Sequence, residues 1–307
     1  MKRISFKNRE INIAGLLFFP DDFDENKKYA ALVLATPGSS VKEQIGTVYA
    51  EKMAKKGFVA LTFDPSYQGE SSGEPRDLED PATRAEDIRC AVDYLMTQPF
   101  INEDRVGLLG ICAGGSYAIS AALTEHRFKA IGTVVASDIG RAFRGMQSKE
   151  NLLALLEHVG QQRTIEARCG DLRRDAWIPD TLKEALAAGI NDPETLEAID
   201  FYRESNYCHP NSTNRLLFRS YSQLLNYDGF HLVPELLTQP LLVIVAGRRG
   251  NTGQYENGQT LFDLSPSSKK DFFVVKGAGH YDMYFKALYV DQAVDRLVDF
   301  YSKYLVV

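Results

Sequence analysis

Paired thiols are missing from this chain. Its four cysteines, Cys90, Cys112, Cys169 and Cys208, lie far apart, with no Cys-x-x-Cys pair and no Cys/His cluster at zinc spacing. That excludes a zinc ribbon and a disulfide-stapled scaffold, and isolated thiols fit a reducing cytoplasm. No metal and no organic cofactor is expected. Also missing is any apolar stretch long enough to span a bilayer. Residues 1–10 are charged and lack the apolar centre of a secretory leader, so none is expected. Runs of Lys and Arg are absent and the formal net charge is −6, which argues against nucleic acid or an anionic membrane as a partner. Repeats and low-complexity segments are absent too. What remains is 307 residues of ordinary soluble composition, room for one large α/β domain with an insertion or two small domains.

Along the chain, alternating stretches near 3–8 and 11–19 read as an antiparallel pair. Continuous apolar runs follow at 30–35, 58–63, 105–109 and 130–136, the signature of strands buried on both faces of a parallel sheet. Helices over 44–56, 83–97 and 115–123 separate them, the first stopping at Gly57. From 138 to 238 the alternation breaks into charged, mostly helical sequence, with helices predicted at 148–158, 179–188 and 193–202. A structureless loop of that length is implausible in a compact domain, so the segment reads as an inserted helical cap. Alternation resumes with strands at 241–246 and 272–275, a short helix over 259–264 and a final amphipathic helix over 283–304. The expected architecture is a mostly parallel, doubly wound α/β sheet. Residues 1–137 and 239–307 would form its core and residues 138–238 the cap.

One motif carries chemistry. Gly110-Ile111-Cys112-Ala113-Gly114 places a cysteine in a Gly-x-Ser-x-Gly nucleophile elbow, between a buried strand and a helix. Taken alone, Cys112 could be a small buried residue packed like alanine; the strand–turn–helix context favours a nucleophile. A thiolate attacks a carbonyl carbon directly, whereas a serine hydroxyl must lose its proton during attack. The base belongs in the loop after the last strand, where Gly277-Ala278-Gly279-His280 supplies His280. The orienting third member belongs in the loop after the preceding strand, 247–256, whose best-placed side chain is Asn251. An asparagine orients an imidazole through its carbonyl but does not stabilise an imidazolium as a carboxylate does. Asp138, just past the strand ending near Ala136, competes with it, and Glu256 lies further into the loop. The oxyanion hole would combine the Ala113 amide with that of Ser39, or of Ser40, from the small-residue loop Thr36-Pro37-Gly38-Ser39-Ser40. Tyr67, in the loop 64–76 at a strand's carboxyl end, is expected to face the substrate.

With these residues placed, the chain resembles the α/β-hydrolase superfamily over essentially its whole length. Within it, the chain is similar to the branch containing polyketide transferases and bacterial hydrolases, and more distantly to dienelactone hydrolase with its cysteine nucleophile. The matching motifs are Pro37-Gly38 with Val41-Lys42-Glu43-Gln44, Asp64-Pro65-Ser66-Tyr67-Gln68-Gly69-Glu70-Ser71, the Cys112 elbow, Pro210-Asn211-Ser212-Thr213-Asn214-Arg215, and Gly277-Ala278-Gly279-His280-Tyr281-Asp282. The resemblance implies acyl-enzyme chemistry on an ester, thioester or lactone. Two positions depart from it. Thr36 and Ser39-Ser40 stand where His and glycines are usual, and Asn251 stands where an acid is frequent.

The expected protein is a cytoplasmic hydrolase acting on a small acyl compound through Cys112 and His280, with a homodimer left open. An acyl transferase of the same fold is the first alternative. A ligand-binding homologue that has lost turnover is the second, and a peptidase ranks last.

Overall fold

The computed structural model describes residues 1–145 and 147–305. Among the described residues ten strands are formed. They are β1 (Lys2–Asn8), β2 (Ile11–Phe18), β3 (Tyr29–Ala35), β4 (Val59–Phe63), β5 (Ile101–Ile111), β6 (Phe128–Val134), β7 (Arg174–Ala176), β8 (Arg215–Leu217), β9 (Leu241–Ala246) and β10 (Lys270–Val275). Eight of them make one sheet in the order β1-β2-β4-β3-β5-β6-β9-β10. β1 and β2 run antiparallel, and β3, β4, β5, β6, β9 and β10 are mutually parallel.

The apolar runs are buried because side chains alternate between two covered faces. From β3, Ala31 and Val33 join one core with the helices Pro81–Met96 and Ala113–Ala122. Leu32 and Leu34 join the opposite core, under the helices Thr47–Lys55 and Ala287–Leu305. The last helix buries Val290, Ala293, Val294, Leu297, Tyr301 and Leu305, an i, i+3, i+4, i+7 stripe. Within that stripe Tyr301 donates a hydrogen bond to the Leu108 carbonyl at 2.7 Å.

After β3 the chain steps to β4 on one side, then crosses back to β5 on the other. The carboxyl ends of β3 and β5 therefore flank a switch point, where open α/β sheets bind ligands. Between β6 and β9 the chain leaves the sheet. It forms the helices Ile139–Gly145, Lys149–Cys169, Leu182–Ala187, Pro193–Ile199, Ser220–Asn226 and Val233–Leu236, with a small antiparallel ribbon of β7 and β8. The helix predicted at 148–158 in fact runs to Cys169. Its second half was illegible because only Val159 and Glu166 along the helix are buried, so no apolar stripe marks it. No helix among the described residues is long and apolar enough to cross a membrane.

Candidate active site

β5 delivers Cys112 to the switch point. The residue has φ 55° and ψ −126°, a sparsely populated backbone conformation that lifts its side chain above the sheet. Three backbone hydrogen bonds fix it there. Its amide donates to the Val134 carbonyl at 3.1 Å, and its carbonyl accepts from Gly115 at 2.8 Å and Ser137 at 2.9 Å. The flanking glycines are required by close approach. A Cβ on Gly114 would collide with the Ala35 carbonyl, and one on Gly115 would lie 2.5 Å from the Ala136 methyl. The Cys112 side chain opens onto a cavity of about 210 Å³. Burial pushes its thiol up to about 11, an effect the nearby Tyr284 hydroxyl and Ala113 amide partly offset.

Aromatic side chains wall the cavity. Tyr281 comes from the loop after β10 and Tyr284 from the short helix Asp282–Phe285 that follows, while Phe143, Trp177 and Tyr202 come from the insertion. No Asp, Glu, Lys or Arg side chain among the described residues lines it. The Trp177 ring would stand 3.1 Å from a Cβ on Gly38, and its Nε1 donates to the Arg215 carbonyl at 3.1 Å. The insertion is thus pressed onto the loop after β3.

Ser39 belongs to that loop. Ser39 adopts φ 62° on the cavity wall, and its carbonyl is turned away to accept from Ser212 Oγ at 2.7 Å. Ser40 does not reach the cavity. Its amide donates to the Pro37 carbonyl at 3.4 Å and its hydroxyl faces Gln44 Oε1. A buried guanidinium organises the loop from behind. Arg84 donates to the carbonyls of Thr36 and Pro37 at 2.8 and 3.0 Å and pairs with buried Glu79 at 3.2 Å. Tyr117 donates to the same Glu79 carboxylate at 2.7 Å. None of Arg84, Glu79 and Tyr117 belongs to a motif, so sequence reasoning passed over them.

His280 is fully buried in the loop after β10. Its Nε2 lies 3.1 Å from the Tyr284 hydroxyl, and its Nδ1 has no hydrogen-bond partner among the described residues. Burial alone pulls the imidazole down to about 3, so it is neutral at physiological pH. Neither expected third member reaches it. Asn251 is exposed in an outer cleft of about 590 Å³, beside Arg141 and Glu256. Asp138 is buried, but its carboxylate accepts from the amides of Arg141 and Gly229, both at 2.7 Å, and so caps a helix and anchors the insertion. Glu256 pairs with Arg249. The place beside Gly279, where a Cβ would otherwise sit, is taken by the Arg248 guanidinium, which bonds to Glu197 at 2.6 Å.

Tyr67 is likewise not where substrate would be. It has φ 72°, exchanges backbone hydrogen bonds with Ser72 and Asp77, and lies outside the cavity lining. Its loop is held instead by buried Lys42, whose Nζ binds Asp64 and Glu70 at 2.7 Å and Glu43 at 2.8 Å.

Two residues that the sequence reading missed complete the picture. Glu194, buried on the helix Pro193–Ile199, accepts from the Thr252 amide at 2.7 Å and so holds the loop after β9 against the cavity. Tyr284, four residues beyond His280, left a usable signal: an i, i+4 pair directly after the Gly-rich turn.

Sheet order, elbow and histidine loop thus coincide, and a family model described as the alpha/beta hydrolase family matches residues 43–300. The chain is an α/β-hydrolase. This α/β-hydrolase is 36% identical over 307 residues to the Escherichia coli (strain K12) protein YcjY, itself uncharacterised, covering 99% of both chains. It is 26% identical over 262 residues to a thiohydrolase of Eupenicillium brefeldianum, covering 82% of this chain and 79% of that one. GrgF, a Penicillium polyketide transferase, is 23% identical over 92% of this chain and 91% of its own. The GrgF crystal structure superposes with a TM-score of 0.81 at 21% identity, covering 100% and 99% of the two chains.

Proposed function

We propose that this protein cleaves a thioester or ester by forming an acyl-enzyme on Cys112. The observation that carries the reading is the strained elbow opening onto an uncharged, aromatic-lined cavity. Strain of this kind persists only where surrounding structure over-determines it, and it concentrates at functional sites. The thiol sulfur attacks the substrate carbonyl carbon, and the Ala113 and Ser39 amides receive the developing oxyanion. His280 holds the thiol proton meanwhile and returns it to the departing thiol or alcohol. Water, deprotonated by the same imidazole, then releases the acid and regenerates the thiol.

Cavity volume sets the acyl class. An apolar cavity of ~150 Å³ holds a benzene molecule, so about 210 Å³ accommodates an acyl group of roughly benzoyl size. Without a charged wall residue, a second carboxylate on the acyl group would be desolvated without a partner. The names of two relatives, a thiohydrolase and a polyketide transferase, support acyl transfer from a thioester.

Intact-mass spectrometry after incubation with benzoyl, dodecanoyl and succinyl thioesters tests the reading. A benzoyl adduct absent from Cys112→Ala is expected, with the succinyl ester inert. An adduct on another residue, or none from any ester, sinks the acyl-enzyme.

A second reading has its own support. The unpartnered His280 Nδ1 and the raised thiol also suit a homologue that binds acyl compounds without turning them over. Calorimetric binding of the same thioesters with no adduct on Cys112 would select it.

A further inference from the structure

Tyr284 neighbours both of the groups on which the proposed chemistry depends. Its hydroxyl lies 3.1 Å from His280 Nε2. Its side chain lines the cavity together with Cys112, whereas His280 is fully buried and absent from the cavity wall. Among the described residues no hydrogen bond joins His280 to Cys112; Tyr284 shares the cavity wall with Cys112 and brings its hydroxyl within hydrogen-bond distance of His280 Nε2. The ring is rigidly placed. It packs edge-on to Phe201 at 5.0 Å and to Tyr202 at 6.2 Å, and lies 5.0 Å from Tyr281.

We propose that Tyr284 is a catalytic residue whose hydroxyl relays the Cys112 proton to His280 Nε2. The proposal rests on the acyl-enzyme reading above. A phenol has one donor and lone pairs to spare, so it can accept from the thiol while donating to the imidazole. As the Cys112 S–H bond breaks, its proton forms a new O–H bond on Tyr284. The original Tyr284 proton meanwhile forms an N–H bond at Nε2. The products are a thiolate, an intact phenol and an imidazolium, and charge is conserved. The step requires the tautomer protonated on Nδ1, which leaves the Nε2 lone pair free to accept. No tyrosinate is formed, in keeping with a hydroxyl that burial, with Cys112, Tyr202 and Tyr281 nearby, holds far above the ordinary tyrosine range. The reverse shift delivers the proton to the leaving group.

Stopped-flow acylation by a benzoyl thioester, run on wild type and Tyr284→Phe, tests the relay. The phenylalanine keeps the ring and deletes only the hydroxyl. The acylation rate constant is expected to fall roughly 10²-fold or more, the size of a lost acid–base contribution. Substrate affinity should stay within about threefold, as for an interaction made only in the transition state. Wild type should show a curved proton inventory in mixed H₂O and D₂O, reporting two protons in flight. A merely structural tyrosine would not produce that curvature, and the measurement needs no variant. A linear wild-type inventory overturns the relay, as does a folded Tyr284→Phe that acylates within about threefold of wild type. In both cases the Cys112 adduct survives, so the acyl-enzyme reading stands. Absence of any wild-type adduct removes both.

Discussion

Burial takes the Cys112 thiol up to about 11 and the His280 imidazole down to about 3, so both groups are uncharged at neutral pH. Under the proposed mechanism the nucleophile would therefore be made on demand, by proton transfer as substrate binds, rather than stored as a thiolate. His280 also ties stability to pH. Between about 3 and 6.5 the unfolded chain binds a proton at this residue that the native protein excludes. Its contribution is present above about 6.5 and is lost as pH falls. Asp87 acts with the opposite sign. Burial raises its carboxyl to about 6, so it weakens the fold as pH climbs from 3.8 toward 6. The two slopes oppose one another, and only a difference between variants isolates the histidine. Urea midpoints measured from pH 7.5 to 4 should fall more steeply for wild type than for His280→Gln; parallel curves would refute the assignment. At this scale the sequence was only partly readable. Cys112 and His280 are marked by glycines that neighbouring chains require. Asn251, Asp138 and Tyr67 were placed by loop position alone, and position does not say which hydrogen bonds a side chain already spends.

The elbow works because the helix Ala113–Ala122 presses against the ends of β3 and β6. Gly114→Ala would drive a methyl into the Ala35 carbonyl, a backbone atom that has nowhere to go. Overpacking of this kind typically costs about 1–3 kcal/mol and occasionally more. Gly160 is the contrasting case, exposed within the helix Lys149–Cys169 with nothing within 4 Å of an added Cβ. Alanine there should stabilise by up to about 1 kcal/mol, the mid-helix penalty of glycine. Chemical denaturation of the two variants should shift in opposite directions, and a shared direction would contradict the packing account. Elements were the most legible level of this chain. Strands β3, β4, β5, β6 and β9 announce themselves as continuous apolar runs because both of their faces are covered. The ribbon of β7 and β8 gave no such signal, being three residues a side and partly exposed.

Across the whole molecule, the cavity is assembled from pieces distant in sequence. Trp177 on Gly38, Ser212 on Ser39, Glu194 on Thr252 and Gln44 on the Tyr207 carbonyl tie the insertion to the sheet's loops. Such contacts leave no local periodicity, which is why the insertion was readable as a helical cap shaping an apolar pocket but the side chains it contributes, Phe143, Trp177 and Tyr202, were not. Arg84 has a wider reach than its two hydrogen bonds suggest. It belongs to the opening turns of the helix Pro81–Met96, whose N-terminus is capped by Asp80 accepting from Ala82 at 3.0 Å. Helix ends open more readily than sheet interiors. Warming that frees this turn releases the carbonyls of Thr36 and Pro37 while the eight strands remain paired. Inactivation and unfolding should therefore part company: esterase rate should collapse at a lower temperature than the far-ultraviolet circular dichroism. Asp80→Ala, at a residue outside the cavity lining, should widen the gap. Coincident curves for both proteins would show that the loop and the sheet melt as one.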